Sequence, residues 1–533
     1  MPNQNYYLRQ NVVAEPLVNL WYAWSYIISP ATAAMVFTQT HMKIMESYLK
    51  SPQMHQIACK NPENIGGPFI DYPEIRTEEI GQLFEQTKEK IGHHAMFADA
   101  LKQLTTMLAE HPEGMSLEPL YVDLPEVLKG YVELYYDAAN QPHFRFIEAL
   151  LYHGKLATTS MQSMLLSTTD KDYRPFCLST PRLPKDSEVH LNLPFSDPLY
   201  DRLFQARDLP LNDEELVELS QQLGLSTKQI NHLFTTEQPA NRYQAIDNES
   251  EVRVRYFGHA CILIESKACN ILVDPVISYE YPSDIERFTY ADLPPKIDYV
   301  LLTHAHQDHV LLEHLFQLRH KITTVVVPAN GAGMLQDPSL KLMLESVGFK
   351  SVISLGELEK INIPNGFIQG LPFLGEHGDL HIQTKIAHFI NIENKKILCA
   401  ADSNNLDPAL YDHLQPIVGD LDLLFVGMEC DGAPLSWLYQ AILLKPLNRK
   451  MDQSRRLNGS DFVKAKYIVD TFNCKQVYVY ALGQEPWLNY VMSVNYTVES
   501  APIVQSEQLI EYCQTRNILA KRLFGKHSIG LNS

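Results

Sequence analysis

Over residues 1 to about 235, apolar positions recur mainly at helical spacing. TAAMVFTQTHMKIMESYL (32–49), EEIGQLFEQTKEKIG and HAMFADALKQLTTMLAEH each place apolar residues three and four apart, as amphipathic helices do. WYAWSYIISP (21–30) is aromatic-rich and reads as a strand stopped by Pro30. LPLNDEELVELSQQLG and LSTKQINHLF read as a helical hairpin with Asp213 and Ser226 as N-caps and Gly224 as the break. TTEQPANRYQAIDNESE (235–251) is polar, holds Pro239 and loses all periodicity, which marks a linker. From Val252 the pattern changes. VRVRYFGHACILIES, ILVDPVI, KIDYVLLTH, TTVVVP, KKILCAADS, LDLLFVGME and QVYVYAL are alternating or wholly apolar runs separated by helical stretches. Such an order predicts a layered α/β domain around a largely buried sheet. The expected organisation is a mixed α/β N-terminal domain over 1–235, a linker over 236–251 and a catalytic α/β domain over 252–533.

Composition narrows the classes of function. The 533 residues carry 44 Lys+Arg against 63 Asp+Glu, a formal net charge of −19. That balance argues against a general nucleic-acid or anionic-membrane binder, whose affinity comes from basic surface. Eight cysteines are thinly spread with no C-x-x-C pair, so neither a disulfide framework nor a thiolate zinc site is expected. The first residues, MPNQNYYLRQ, lack a basic region followed by an apolar run, and the stretch Trp21 to Phe37 is interrupted by Ser25, Ser29, Pro30 and Thr32, short of a ~20-residue span. A cytoplasmic protein is expected.

In layered α/β folds, reactive residues sit just beyond strand C-termini. The run YVLLT leads directly into His304-Ala305-His306-Gln307-Asp308-His309. His304 and His306 can pinch one cation, and Asp308 with His309 can serve a second nearby; imidazole and carboxylate donors suit zinc, iron or manganese. Two further strand ends supply candidates: Glu376 and His377 in LPFLGEHGDL, and Asp402 in ILCAADSNN, whose two carboxylate oxygens can span a metal pair. Spacing alone leaves the choice between Glu376 and His377 open. Glu429, ending LDLLFVGME, is another acid at a strand terminus, with a gating or supporting role and a plain structural one both open. His259 and Asp274 read as structural groups beneath the site, and Trp487 and Tyr490 as packing.

The order GHACILIES, ILVDP, THAHQDH and AADS, over roughly 252–420, resembles the metallo-β-lactamase superfamily. That resemblance implies an αββα sandwich with a dinuclear metal centre and leaves the reaction open. Hydrolytic members commonly add another late His, yet after Asp402 only His413 and His527 remain and VYVYALGQEP has none. One coordination position is therefore expected to be open. Beyond this, AEPLVNLWYAWSYI, FTYADLPPKIDYVLLTHAHQDH, LPFLGEHGDL, DQSRRLNGSDF and VYVYALGQEPW resemble the non-haem diiron β-hydroxylases of antibiotic biosynthesis, nearly end to end. By that resemblance His304, His306 and Glu376 ligate the first iron, Asp308 and His309 the second, and Asp402 bridges them. Three His and three carboxylates make a harder, more anionic site than a His-rich zinc centre, which favours iron.

The resemblance implies O₂-dependent hydroxylation of the β-carbon of an amino acid held as a thioester on a nonribosomal peptide synthetase carrier protein, with Glu376 and Glu429 among the acting residues. The sequence holds no flavin or nicotinamide motif, so electrons must come from an external donor such as a reductase. Dimerisation or carrier docking is expected of the N-terminal domain. Arg449, Lys450, Arg455 and Arg456 form a basic cluster suited to a phosphopantetheine phosphate or an acidic carrier helix. The competing readings are a dizinc hydrolase (a thioesterase or amidase) on the same fold, and a metal-stabilised scaffold without catalysis.

Overall fold

The computed structural model describes residues 4–61, 64, 66–492 and 494–531. In the N-terminal part, strands Trp21–Tyr22, Val12–Val18, Gln162–Thr168 and Val189–Leu191 form an antiparallel sheet in that order. Helix Pro30–Val36 packs on Gly92–Glu110, and Met42–Lys50 on Thr77–Lys90, each burying the apolar stripe its spacing predicts. WYAWSYIISP departs from the expected strand. Only Trp21–Tyr22 pairs, Ser25–Ile28 is a helical turn, and Pro30 opens a helix at its first turn, where a missing N–H removes no hydrogen bond. In the helical hairpin, Ser226 caps as expected and Gly224 breaks the chain at φ +68°, but the other cap is Asn212, one residue before Asp213. Asn212 accepts from Glu215 N–H while the Glu215 carboxylate accepts from Asn212 N–H. Residues 236–251 contain no helix or strand.

The C-terminal part is built from two seven-stranded mixed sheets. The first runs Val352–Leu355, Ile322–Pro328, Ile297–Leu301, Asn270–Val273, Cys261–Glu265, Val252–Gly258 and His527–Leu531. The second runs Lys360–Ile363, Gly366–Leu371, Ala387–Ile392, Lys395–Cys399, Leu423–Gly427, Gln476–Tyr480 and Leu519–Arg522. Strand alternation assigns the faces. In the first sheet, Ile271, Val273, Leu301 and Val326 meet Ile390, Ile397, Leu423 and Phe425 of the second. Helices Ala409–Val418, Phe462–Thr471 and Ala501–Thr515 cover the outer face of the second sheet. This is the expected αββα sandwich.

The outer face of the first sheet is where the two parts meet. Leu272, Val300 and Val325 share one continuous apolar core with Val12, Val18 and Phe37 of the N-terminal part. Helix Leu312–Leu318, seven buried residues long, lies between them and packs on strand Val12–Val18. All eight cysteines are free, six of them buried. Among the described residues no helix is long and apolar enough to cross a membrane.

Candidate metal centre

Strand Ile297–Leu301 ends in a loop whose imidazoles turn inward. His304 Nε2 lies 3.2 Å from His306 Nδ1, and His306 Nδ1 lies 3.3 Å from Glu376 Oε1. His309 Nε2 is 2.9 Å from Asp402 Oδ2, and His304 Nε2 is 3.6 Å from the same oxygen. Asp308 Oδ2 is 3.2 Å from His259 Nε2 and 3.8 Å from His309 Nε2. Three sets therefore each bring their ligand atoms within 4.8 Å: His304, His306 and Glu376; His304, His309 and Asp402; His259, Asp308 and His309. They overlap as two neighbouring cation positions would, with Asp402 between.

The chemistry of the donors fits cations. His309 Nε2 stands 2.9 Å from Asp402 Oδ2 without making a hydrogen bond, and Asp402 Oδ1 is buried with no hydrogen-bond partner among the described residues. Buried polar atoms are nearly always paired, and a metal pair would satisfy these. The other ring nitrogens are already anchored. His309 Nδ1 meets Asp274 Oδ2 at 2.8 Å. His304 Nδ1 meets Thr303 Oγ1 at 3.0 Å, and that hydroxyl donates to Asp274 Oδ2. His306 Nε2 meets the Tyr439 hydroxyl at 2.9 Å. Such contacts fix tautomer and ring orientation in metal-binding histidines.

Electrostatics point the same way. Burial and the surrounding imidazoles hold His304 well below the usual histidine range, and burial brings His306 down to about 4, so both are neutral donors. Burial together with Asp402 and Asp308 pushes the Glu376 carboxyl well above its ordinary value. For His309, burial acts downward but Asp402, Asp308 and Asp274 outweigh it and hold the imidazole well above. Carboxylates this close repel one another until a cation lies between them.

Several residues in and beside the cluster carry strained backbone. His259, Asp274, Glu376 and Ala401 all have left-handed φ, between +38° and +69°, a conformation costing non-glycine residues about 1–3 kcal/mol each. Glu376 and His377 diverge because Gly375, Glu376, Gly378 and Asp379 all have left-handed φ while His377 does not, so the segment turns between them. Glu376 enters the cluster, whereas His377 Nδ1 turns to the Tyr439 hydroxyl at 2.7 Å. Lys385 Nζ donates to Gly375 O and Arg455 Nε to Gly378 O, clamping both ends of the turn. A Cβ at Gly427 would come within 2.6 Å of Asp402 Oδ1, so that strand end must be bare for Asp402 to sit as it does.

His306, Asp308, Glu376 and Glu429 line one end of a cavity of about 400 Å³. Glu429, half-buried, has its carboxyl raised well above the usual range by burial and by Glu376, Asp402 and Asp308. Much of the remaining lining comes from the N-terminal part: Trp24, Val36, His41, Ile44, Phe176 and Leu178. Sequence reasoning gave that part docking or dimerisation and missed this contribution. It also missed Tyr439, which joins His306 across a long chain separation and has no signature around it. Trp487 and Tyr490 are buried against Arg287 and Arg174, and their neighbours Val491 and Met492 reach the cavity instead. The basic cluster is divided. Arg449 and Lys450 are exposed on helix Arg449–Ser454, Arg456 pairs with Asp431 at 3.2 Å, and Arg455 is turned inward on the Glu376 loop.

Residues 7–239 match the family described as the diiron non-heme beta-hydroxylase N-terminal domain, and residues 254–386 match the metallo-beta-lactamase superfamily. The chain is 37% identical to the 4-amino-L-phenylalanyl-[CmlP-peptidyl-carrier-protein] 3-hydroxylase of Streptomyces venezuelae, over 99% of this chain and 100% of that one. The crystal structure of CmlA, a diiron beta-hydroxylase from Streptomyces venezuelae, superposes with a TM-score of 0.93 at 36% identity, again covering 99% and 100%. A metal-dependent hydrolase of Exiguobacterium is 31% identical over only 18% of this chain and 37% of its own.

Proposed function

The chain belongs to the diiron non-haem β-hydroxylases, and from that premise we propose that it hydroxylates the β-carbon of an amino acid held as a thioester on a nonribosomal peptide synthetase carrier protein. One observation carries the reading: a His and carboxylate set sized for two cations, with Glu376 where a hydrolytic relative commonly supplies a third His, lies at the end of a cavity rather than on open surface. His304, His306 and Glu376 would hold the first iron and Asp308 and His309 the second, with Asp402 serving both. When bound, two iron ions supply the O₂-dependent oxidation of a C–H bond, with electrons from an external donor.

The protein's part is positioning and exclusion of water. Tyr439 holds His306 by its Nε2, and Asp274 holds His309 and Thr303 together, so the donors are oriented before metal arrives. Arg455 and Lys385 keep the Glu376 turn in its strained form. Trp24, Phe176 and Leu178 give the aminoacyl group a dry wall. Glu429, at the metal end, controls how that group approaches.

Carrier docking falls to Arg449 and Lys450. What supports this is their tether: Asp452 of the same helix accepts from both the backbone N–H and the hydroxyl of Ser436, a residue of the cavity wall, and the neighbouring Trp437 is 49% exposed. Positive charge there would draw an acidic carrier helix or phosphate to the entrance. A reductase as donor, pairing of two copies through the N-terminal part, and work in the cytoplasm, where eight unpaired cysteines stay reduced, complete the reading.

Iron quantification and O₂ consumption by the reduced protein, against a panel of carrier-loaded amino acids, test it. The expected product is heavier by one oxygen. Zinc as the sole active metal, with turnover under strict anaerobiosis, would overturn it in favour of a hydrolase. Arg449→Glu with Lys450→Glu should raise KM for the loaded carrier about tenfold at unchanged kcat.

A further inference from the structure

Two features of the N-terminal wall are unused by the metal centre. The first is a break in helical register. Between helices Pro30–Val36 and Met42–Lys50 the chain makes a π turn, Phe37–His41. Such turns are rare and occur mostly where they serve a site. Here the turn carries Thr40 and His41 to the cavity, with the His41 ring stacked on Trp21 at 3.9 Å between centroids and 5° between planes, and tilted against Phe37.

The second is the state of that ring. His41 is only 3% exposed, and its Nδ1 has no hydrogen-bond partner among the described residues. Burial brings its pKa down to about 3, so it is neutral at any physiological pH and offers one N–H and one lone pair. An unpaired buried polar group is costly, and native proteins keep few of them. The Trp21 stack fixes the ring plane and limits its search for another partner. Around it the wall is apolar: Trp24, Val36, Ile44, Phe176 and Leu178.

Resting on the hydroxylase reading above, we propose that His41 is a specificity-determining residue: its ring hydrogen-bonds a single polar substituent on an otherwise apolar, aromatic-sized side chain of the carrier-bound amino acid. The apolar wall takes the body of that side chain and the imidazole takes its polar group. An amino acid of equal size without the substituent leaves the imidazole unpaired and is discriminated against.

The test compares the iron-loaded enzyme and His41→Phe on carrier loaded with phenylalanine, tyrosine or 4-aminophenylalanine. Wild type should favour a polar-tipped substrate over phenylalanine by ~10–100-fold in kcat/KM. His41→Phe should erase most of that ratio by lowering kcat/KM for the polar-tipped substrates far more than for phenylalanine, and His41→Gln should restore part of it. Should His41→Phe lose iron or melt early, His41→Leu is read in the same way. A ratio unmoved by these variants, or one that falls equally for all three substrates, overturns the assignment of His41. Absence of any hydroxylated product from the wild type on every loaded carrier would instead overturn the hydroxylase reading itself.

Discussion

Two clusters of buried ionisable groups lie almost side by side in the sequence, at 304–309 and around Glu313, and they are resolved in opposite ways. Glu313, fully buried, accepts from Arg174, Tyr22 and Tyr279. Arg174 also donates to Glu15, which Arg182 pairs in turn, and the Arg174 guanidinium lies 3.8 Å from the centre of the Tyr490 ring. Two carboxylates meet two guanidiniums, and the charge closes on itself. Around His304 the acids Asp308, Glu376 and Asp402 outnumber the fixed cations, and several nitrogens and oxygens are left without partners. Buried charge that closes ties the two halves of the molecule together. Buried charge left open is completed by something from outside.

The sharpest way to break this contrast is to remove an acid from each cluster. Asp402→Ala or Glu376→Ala should cut hydroxylation at least ~100-fold and lower iron per chain, while the melting temperature stays near that of wild type because like charges have been separated. Metal analysis beside a circular-dichroism melt reads both. Glu313→Ala should do the reverse. It strips Arg174 of two of its three carboxylate bonds and leaves two buried guanidiniums, Arg174 and Arg182, sharing Glu15 alone, an uncompensated buried charge costing ~3–5 kcal/mol by urea unfolding, with iron per folded chain unchanged. Loss of iron in this variant would mean that the two clusters are one.

Acid sharpens the contrast further. Although burial acts upward on Glu15, Arg182 and Arg174 bring its carboxyl from the ordinary 4.5 down to about 2. A depressed folded value stabilises fully above pH 4.5, and that contribution is lost as pH falls from about 4.5 towards 2. It amounts to roughly 3 kcal/mol. Urea midpoints at pH 5 and pH 3 should therefore diverge more in wild type than in Glu15→Gln. The smallest effect belongs to Tyr439→Phe, which keeps every proposed ligand and removes one hydroxyl from His306 and His377. Chelator competition should show iron held ~10–100-fold more weakly, with little change in unfolding.

Much of the clustering of candidate ligands was legible because its pieces are local. His304 to His309 form one short run beyond a strand, and Asp402 announces itself by ending another. The choice between Glu376 and His377 was not legible from spacing, since it depends on a left-handed turn held by Lys385 and Arg455, each distant in sequence. Tyr439 was invisible for the same reason. The layers of the C-terminal half followed from apolar runs, whereas WYAWSYIISP misled because burial on all sides erases the periodicity that separates helix from strand. Asn212 displaced Asp213 as a cap because the two have nearly equal preference and only Asn212 places Glu215 three residues on. The cavity wall at His41 could not be foreseen. Helical spacing marks it as core, and nothing in it records a π turn.

Strand His527–Leu531 follows all others of both sheets in sequence, yet its partner is the earliest strand of the first sheet, Val252–Gly258. During synthesis, therefore, Val252–Gly258 leaves the ribosome long before the strand that will cover it. Its edge stays unpaired while the remaining layers form, and an uncovered edge of this kind is a template for pairing with another chain. The hazard for this protein lies in the interval before the last strand arrives, which a chaperone could shorten and a truncation would make permanent.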